Sequence, residues 1–281
     1  MHALHFTFGL GAFLGSFLSR PFVFNEKDAS YDQTNVFLSQ GKWTIRTLYP
    51  LVGLYGLLSA TGFIFYFITN HNHDYDPLMK EDKDPIAGNN SKVPTKKNIS
   101  IVTLMSVIFF LYVGIEVTFG TFIALSSVKS SLAVSRAEGS DVTAVFWGTF
   151  AATRGLAILL AIVAQPGLIM WGSYSVCIIG AAVLSTMAHY SSTALYIGTS
   201  LMGVGMASIF ATGFLWTERR ISISSKVSAA FIISSSLGAK VFPVMIGQFI
   251  EEFPMMLHYL SVAIVSGCAL IFAVANIVGR K

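Results

Sequence analysis

Residues 97–129 read KNISIVTLMSVIFFLYVGIEVTFGTFIALSSVK, and the reading of this stretch decides the fold. Roughly thirty residues lie between its two lysines, enough to cross a hydrocarbon core of about 30 Å at 1.5 Å per residue with some tilt. The segment reads as a transmembrane helix with one charge inside it, Glu116. A carboxylate at that depth costs on the order of 3 kcal/mol unless it is neutral, paired or wet, so such residues face a bundle interior or a pathway. Tyr112, Glu116 and Gly120 follow at i, i+4 and i+8 on one helical face. A ring, a carboxylate and a gap in the wall offer a polyhydroxylated solute a stacking surface, a hydrogen-bond acceptor and room. A Glu paired with a neighbouring helix for packing alone fits the same pattern equally well.

The composition agrees with a membrane protein. Of 281 residues, 54% are hydrophobic and only 11% charged, and the mean hydropathy of +0.67 is far above that of soluble domains. The net charge of +4 resides in loops and at span ends. It therefore reads as a topology signal and not as a nucleic-acid-binding patch. Cys177 and Cys268 both fall inside apolar segments, which offers neither a disulfide framework nor a metal cluster.

Outward from the organising helix, the pattern predicts an all-α bundle with eight transmembrane helices, split two and six. The first two are expected at 2–19 and 47–70, and the later ones at 141–164, 167–188, 193–216, 227–250 and 255–278. Residues 71–97, HNHDYDPLMKEDKDPIAGNNSKVPTKK, are polar and carry no apolar period, so they read as a linker. Three parts follow: 1–70, the linker 71–97, and a six-helix part at 98–281. His71, His73, Asp74 and Asp76 resemble a metal cluster, but a solvated run accounts for them better. Lys and Arg outside the spans are more numerous on the side holding the linker and both termini, which assigns that side to the cytoplasm. The two sequons at Asn89 and Asn98 then face the cytosol and go unused.

Two further charges lie inside spans. Arg154 is seven residues after Trp147 and so shares its face, with Glu116 on the preceding helix or backbone carbonyls as alternative partners. Lys240 sits in SSSLGAKVFPVMIGQF, where Pro243 and Gly247 predict a bent or interrupted helix. Gly198, Gly203 and Gly205 predict tight helix packing. No phosphate loop, HExxH, CxxC or GxSxG occurs, so hydrolytic and redox chemistry find no support and the chain reads as a non-enzyme without a cofactor.

Four pieces carry a resemblance: ALHFTFGLGAFL at 3–14, FFLYVGIEVTFGTFI at 109–123, FWGTFAATRG at 146–155 and GMASIFATGFLWTERR at 205–220. Together they resemble the major facilitator superfamily, within it the fucose:proton symporter branch, and there the sodium-dependent glucose transporter-like proteins (major facilitator domain-containing type four). The Y-V-G-x-E-V match comprises Tyr112, Val113, Gly114, Glu116 and Val117, and the next helix matches at Phe146, Trp147, Gly148 and Arg154. The resemblance implies that Met1 falls where such carriers begin their fifth helix of twelve, so that the first four are absent. Residues 98–281 would then be the complete C-terminal half.

The resemblance also implies a secondary transporter in the plasma membrane, taking a hexose such as glucose by alternating access with a sodium ion or proton as coupling ion. Its pathway residues would be Glu116, Tyr112, Trp147 and Arg154. Lys240 is a further pathway candidate, outside any matched motif. The expected partners are the lipid bilayer, a small sugar, and either an oligomer or the missing N-terminal half. The competing expectation is a truncated, non-transporting membrane isoform that acts at most as an assembly partner.

Overall fold

The computed structural model describes residues 11–17, 45–70 and 96–280. Two units are present, one built from 1–30 with 96–281 and the other from 31–95. The second unit contributes one described helix, α1 (Ile45–Asn70), with Pro50 inside it. Its 26 residues give the length of a membrane crossing. The linker lies outside the described residues, as does most of the span expected at 2–19, of which 11–17 is helical.

The first unit is a helical bundle. Its elements are α2 (Lys96–Lys129), α3 (Arg136–Val163), α4 (Pro166–Met187), α5 (Ser192–Met206), α6 (Ile209–Glu218), α7 (Ser225–Gly247) and α8 (Met256–Arg280). Six segments between Lys96 and Gly279 are long and apolar enough to span a membrane, with α5 and α6 together forming one of them. The chain is thus a multi-pass membrane protein, all-α in its described residues.

Local chemistry sets the helix starts. Ser135 caps α3 through its side-chain oxygen, which accepts from Glu138 N at 3.2 Å, while Glu138 Oε2 accepts from Ser135 N at 2.8 Å. This reciprocal box satisfies two amides that the first helical turn leaves open. Pro166 opens α4, where its missing N–H costs nothing. Ser191 caps α5 by accepting from Ala194 N at 3.3 Å. The helices start within a few residues of the expected spans, except that α3 begins at Arg136, because its cap and first turn lie outside the apolar stretch.

The span expected at 193–216 is present, and within it the helix is interrupted: α5 ends at Met206 and α6 begins at Ile209, with a turn at Ala207 and Ser208. Of the two residues expected to bend or interrupt the next helix, Pro243 lies inside α7, which stays helical through it, and Gly247 is where α7 ends. Proline removes one N–H and tolerates a helix whose neighbours hold it in place, whereas glycines lower helix propensity where the backbone has other partners to bond.

Outward-facing apolar side chains such as Leu159, Ile162, Val163, Leu168 and Leu270 give the bundle a lipid-compatible surface. Of the span at Ser192–Glu218, 72% of the apolar window is buried, against 22–39% for the other five, so the broken helix is the enclosed centre. Close approach explains how it fits. A Cβ at Gly205 would lie 2.7 Å from Cys177 N and 2.9 Å from Ser173 O on α4, and one at Gly203 would lie 2.6 Å from Phe146 O on α3. Small residues let backbones meet in this way in membranes, where apolar burial alone drives little association. The contact of α2 with α7 repeats the device: Gly114 receives the Phe242 ring, and a Cβ at Gly238 would fall on the Phe110 carbonyl. Phe109 meets Phe210 at 4.8 Å and Phe231 at 5.1 Å, joining α2, α6 and α7.

Gly238→Leu is expected to lower the thermal unfolding midpoint in detergent by about 5 °C or more, because overpacking costs about 1–3 kcal/mol. Gly172→Leu, at a position with no neighbour within 4 Å, should shift it by no more than about 2 °C. Equal shifts for the two variants would refute the packing account.

Candidate functional site

The break between α5 and α6 leaves carbonyl groups that a continuous helix would have used, and in hydrocarbon each must find a partner. Two side chains from other helices supply them. The Tyr112 hydroxyl on α2 donates to Met206 O at 2.6 Å, and Arg154 Nε on α3 donates to Ala207 O at 2.8 Å. Glu116, one helical turn after Tyr112, joins both: its Oε2 contacts the Tyr112 hydroxyl, and its Oε1 lies 3.9 Å from Arg154 Nη2. Tyr112, Glu116 and Arg154 are 1%, 5% and 4% exposed, so the cluster is nearly closed to solvent.

The phenol has one proton and two acceptors. It therefore either divides that proton between Met206 O and Glu116 or gives it to the carbonyl and receives one from the carboxyl. The cluster thus holds one carboxyl group, Glu116, and one guanidinium, Arg154, as its counter-charge.

Aromatic rings shape the surroundings. The Arg154 guanidinium stacks over Phe150 with Cζ 4.3 Å from the ring centroid, an attraction strengthened by desolvation. Trp147 packs edge-on against Phe146 at 4.9 Å and Phe150 at 5.3 Å. Gly120 makes this possible, since a Cβ there would overlap the indole, with Cε2 at 2.8 Å. The spacing of Tyr112, Glu116 and Gly120 along one face is thus realised, with the third position filled by the Trp147 ring. Phe13, in the helical stretch 11–17, reaches α3 one residue further on: a Cβ at Gly148 would be 3.0 Å from its ring.

Of the five residues singled out in the sequence, the structure gathers Tyr112, Glu116 and Arg154 into one cluster with Trp147 alongside. Lys240 is exposed on α7 and does not join them. The parts that sequence reasoning missed are the main-chain carbonyls of Met206 and Ala207, whose sole trace was the glycine pair just before them. Also missed was a polar contact near the other end of α2, where the Ser126 hydroxyl donates to Pro254 O at 2.7 Å beside buried His258. No group of three or more His, Cys, Asp or Glu able to hold a metal occurs among the described residues. The candidate ligands His71, His73, Asp74 and Asp76 lie outside them.

The chain is 29% identical over 272 residues to the human sodium-dependent glucose transporter 1, covering 90% of this chain and 50% of that protein. It is 28% identical over 270 residues to the mouse sodium-dependent glucose transporter 1A, covering 90% and 61%. The chain is a polytopic membrane protein related to sugar transporters. The rat sodium-dependent glucose transporter 1 matches at 33% over 146 residues, 51% of this chain and 29% of that protein. The chain spans about half to three fifths of the length of the human and mouse relatives. No family model and no solved structure matches it.

Removing the Arg154 charge strands a buried carboxylate, so Arg154→Met should destabilise the bundle by about 3 kcal/mol. In a Glu116→Gln background the same change should cost less than half of that, because no lone charge remains. Unfolding of the purified single and double variants in choline chloride buffer measures both costs, and purely additive values would separate the two residues.

Proposed function

We propose that this protein is a secondary transporter of a hexose sugar, coupled to a cation, in which the six-span unit at 96–280 works as one of two halves that rock around the solute. The observation that carries this reading is the buried Tyr112–Glu116–Arg154 cluster seated on a broken helix. Ionisable residues at membrane depth mark ion and substrate routes, and interrupted helices place backbone groups where they can hold a solute or ion. The similarity to sodium-dependent glucose transporters supports the choice of sugar and of sodium, with a proton as the other candidate ion.

Glu116 is the coupling residue in this reading, Tyr112 and Arg154 hold it and the helix break, and Trp147 offers an aromatic face to a sugar ring. Lys240 lines the outer part of the route, from the exposed side of α7. The Lys and Arg balance supports a cytoplasmic side for both termini and 71–97 in this reading, which takes the plasma membrane as the site of action.

Isotope-labelled glucose uptake, measured with and without a sodium gradient in cells making the protein, tests this. Glu116→Gln keeps the side-chain shape and a carbonyl acceptor while removing the charge. It should reduce accumulation at least ten-fold, about 1.4 kcal/mol, at unchanged surface expression. Accumulation equal to the wild type would remove Glu116 from the mechanism.

A further inference from the structure

We propose that the start of α8 and the connection leading into it bind one phospholipid with an ammonium head group, its acyl chain in an apolar groove and its ammonium against Glu251 and Glu252.

The groove has a volume of about 680 Å³, inside the range of about 300–1,000 Å³ for pockets that hold small organic molecules. Its walls come from residues 252–263, where Phe253, Pro254, Met256, Tyr259, Leu260 and Ala263 supply apolar surface and Glu252 adds a carboxylate. Phe253 and Tyr259 are 61% and 57% exposed, large rings for which the folded unit provides no cover. The wall is held from behind, because the Ser126 hydroxyl on α2 donates to Pro254 O at 2.7 Å.

The groove continues into the lipid-facing surface. Helix α8 packs on α2 and α4, which leaves Tyr259, Ala263, Leu270, Val274 and Ile277 exposed along its length. Steps of three, four and seven residues keep them on one helical face. The groove is the Met256 end of that face. The apolar span begins at Met256, and Ala263 lies seven residues further on, about 10 Å deeper at 1.5 Å per residue. Glu251 and Glu252 therefore stand at head-group level, Tyr259 at the interface that aromatic residues favour, and the groove floor in hydrocarbon. A chain lying in the groove brings its own head group to the two carboxylates.

Charge then selects the head group. Both carboxylates are exposed, and no ion pair to either occurs among the described residues. Two unpaired anions repel a lipid of net negative charge. They attract an ammonium, which donates up to three charge-assisted hydrogen bonds and gains further from the Tyr259 ring beside it. The phosphate common to these lipids is tolerated because α8 presents its positive pole at the same end. A sterol has a chain-like body for the groove and nothing for the carboxylates.

Native mass spectrometry of the purified full chain, exchanged into detergent with equal amounts of phosphatidylethanolamine and phosphatidylglycerol of matched chains, tests the site through the one-lipid adduct. The wild type should retain phosphatidylethanolamine over phosphatidylglycerol by about five-fold, the scale of one ion pair at a membrane surface. Glu251→Gln combined with Glu252→Gln should bring the two lipids to equal retention. Ala263→Phe fills the groove at an exposed position and should lose the adduct while unfolding at the wild-type temperature; Leu270→Phe, on the same face beyond the groove, should keep it. Equal retention of both lipids by the wild type overturns the proposal, as does a preference that survives the double glutamine change or an adduct unchanged in Ala263→Phe. Cholesterol displacing the phospholipid at equal concentration would assign the groove to a sterol, and a dimer dissociated by Ala263→Phe would assign it to a second copy of the chain; either result also overturns it. If Ala263→Phe does not purify folded, the double glutamine variant decides: a lost preference upholds the site and a kept one refutes it.

Discussion

Backbone groups in hydrocarbon must be hydrogen-bonded within the protein, and the turn at Ala207 and Ser208 is where this chain meets that constraint with side chains. The Tyr112 hydroxyl and the Arg154 guanidinium do there what amides do elsewhere in the bundle. An arginine inside a membrane then needs its own compensation, and Glu116 and the Phe150 ring provide it. The break, the two donors and the carboxylate are therefore one unit. Each member would be costly alone and is tolerated because the others are present.

Close packing keeps that unit together. Gly203 and Gly205 bring α5 against α3 and α4 just before the break, so that Met206 and Ala207 arrive within reach of α2 and α3 side chains. Gly114 and Gly238 press α7 against α2 on the side carrying Phe110, and Gly120 leaves room for the Trp147 ring. Larger residues at these positions would separate helices by more than the tolerance of a hydrogen bond, which weakens sharply over a few tenths of an ångström.

Much of this was legible in the sequence because the membrane imposes long apolar runs with few exceptions. The six later spans follow from length and hydropathy alone, and the exceptions Glu116 and Arg154 are informative because intramembrane charges are costly. Their shared faces with Tyr112 and Trp147 follow from helical spacing. The helix break was hidden for a physical reason: 193–216 is uniformly apolar, and hydropathy records the solvent a segment meets and not its backbone hydrogen bonding. Pro243 was the stronger local signal, yet α7 stays helical through it and ends only at Gly247. Lys240 was grouped with the other deep charges because sequence depth does not reveal which way a side chain faces, and it is exposed on α7.

Burial also separates two tasks within a transport reading. A sugar needs access from one side of the membrane and then the other, so groups that touch it must be exposed at some stage between the moving halves. Glu116, Tyr112 and Arg154 are enclosed and already bonded to one another and to the interrupted helix, so under the proposed function they would hold that helix and not the sugar. The sugar contact would then fall to the Trp147 face beside the cluster, and the cluster would act on it through the packing around Gly120.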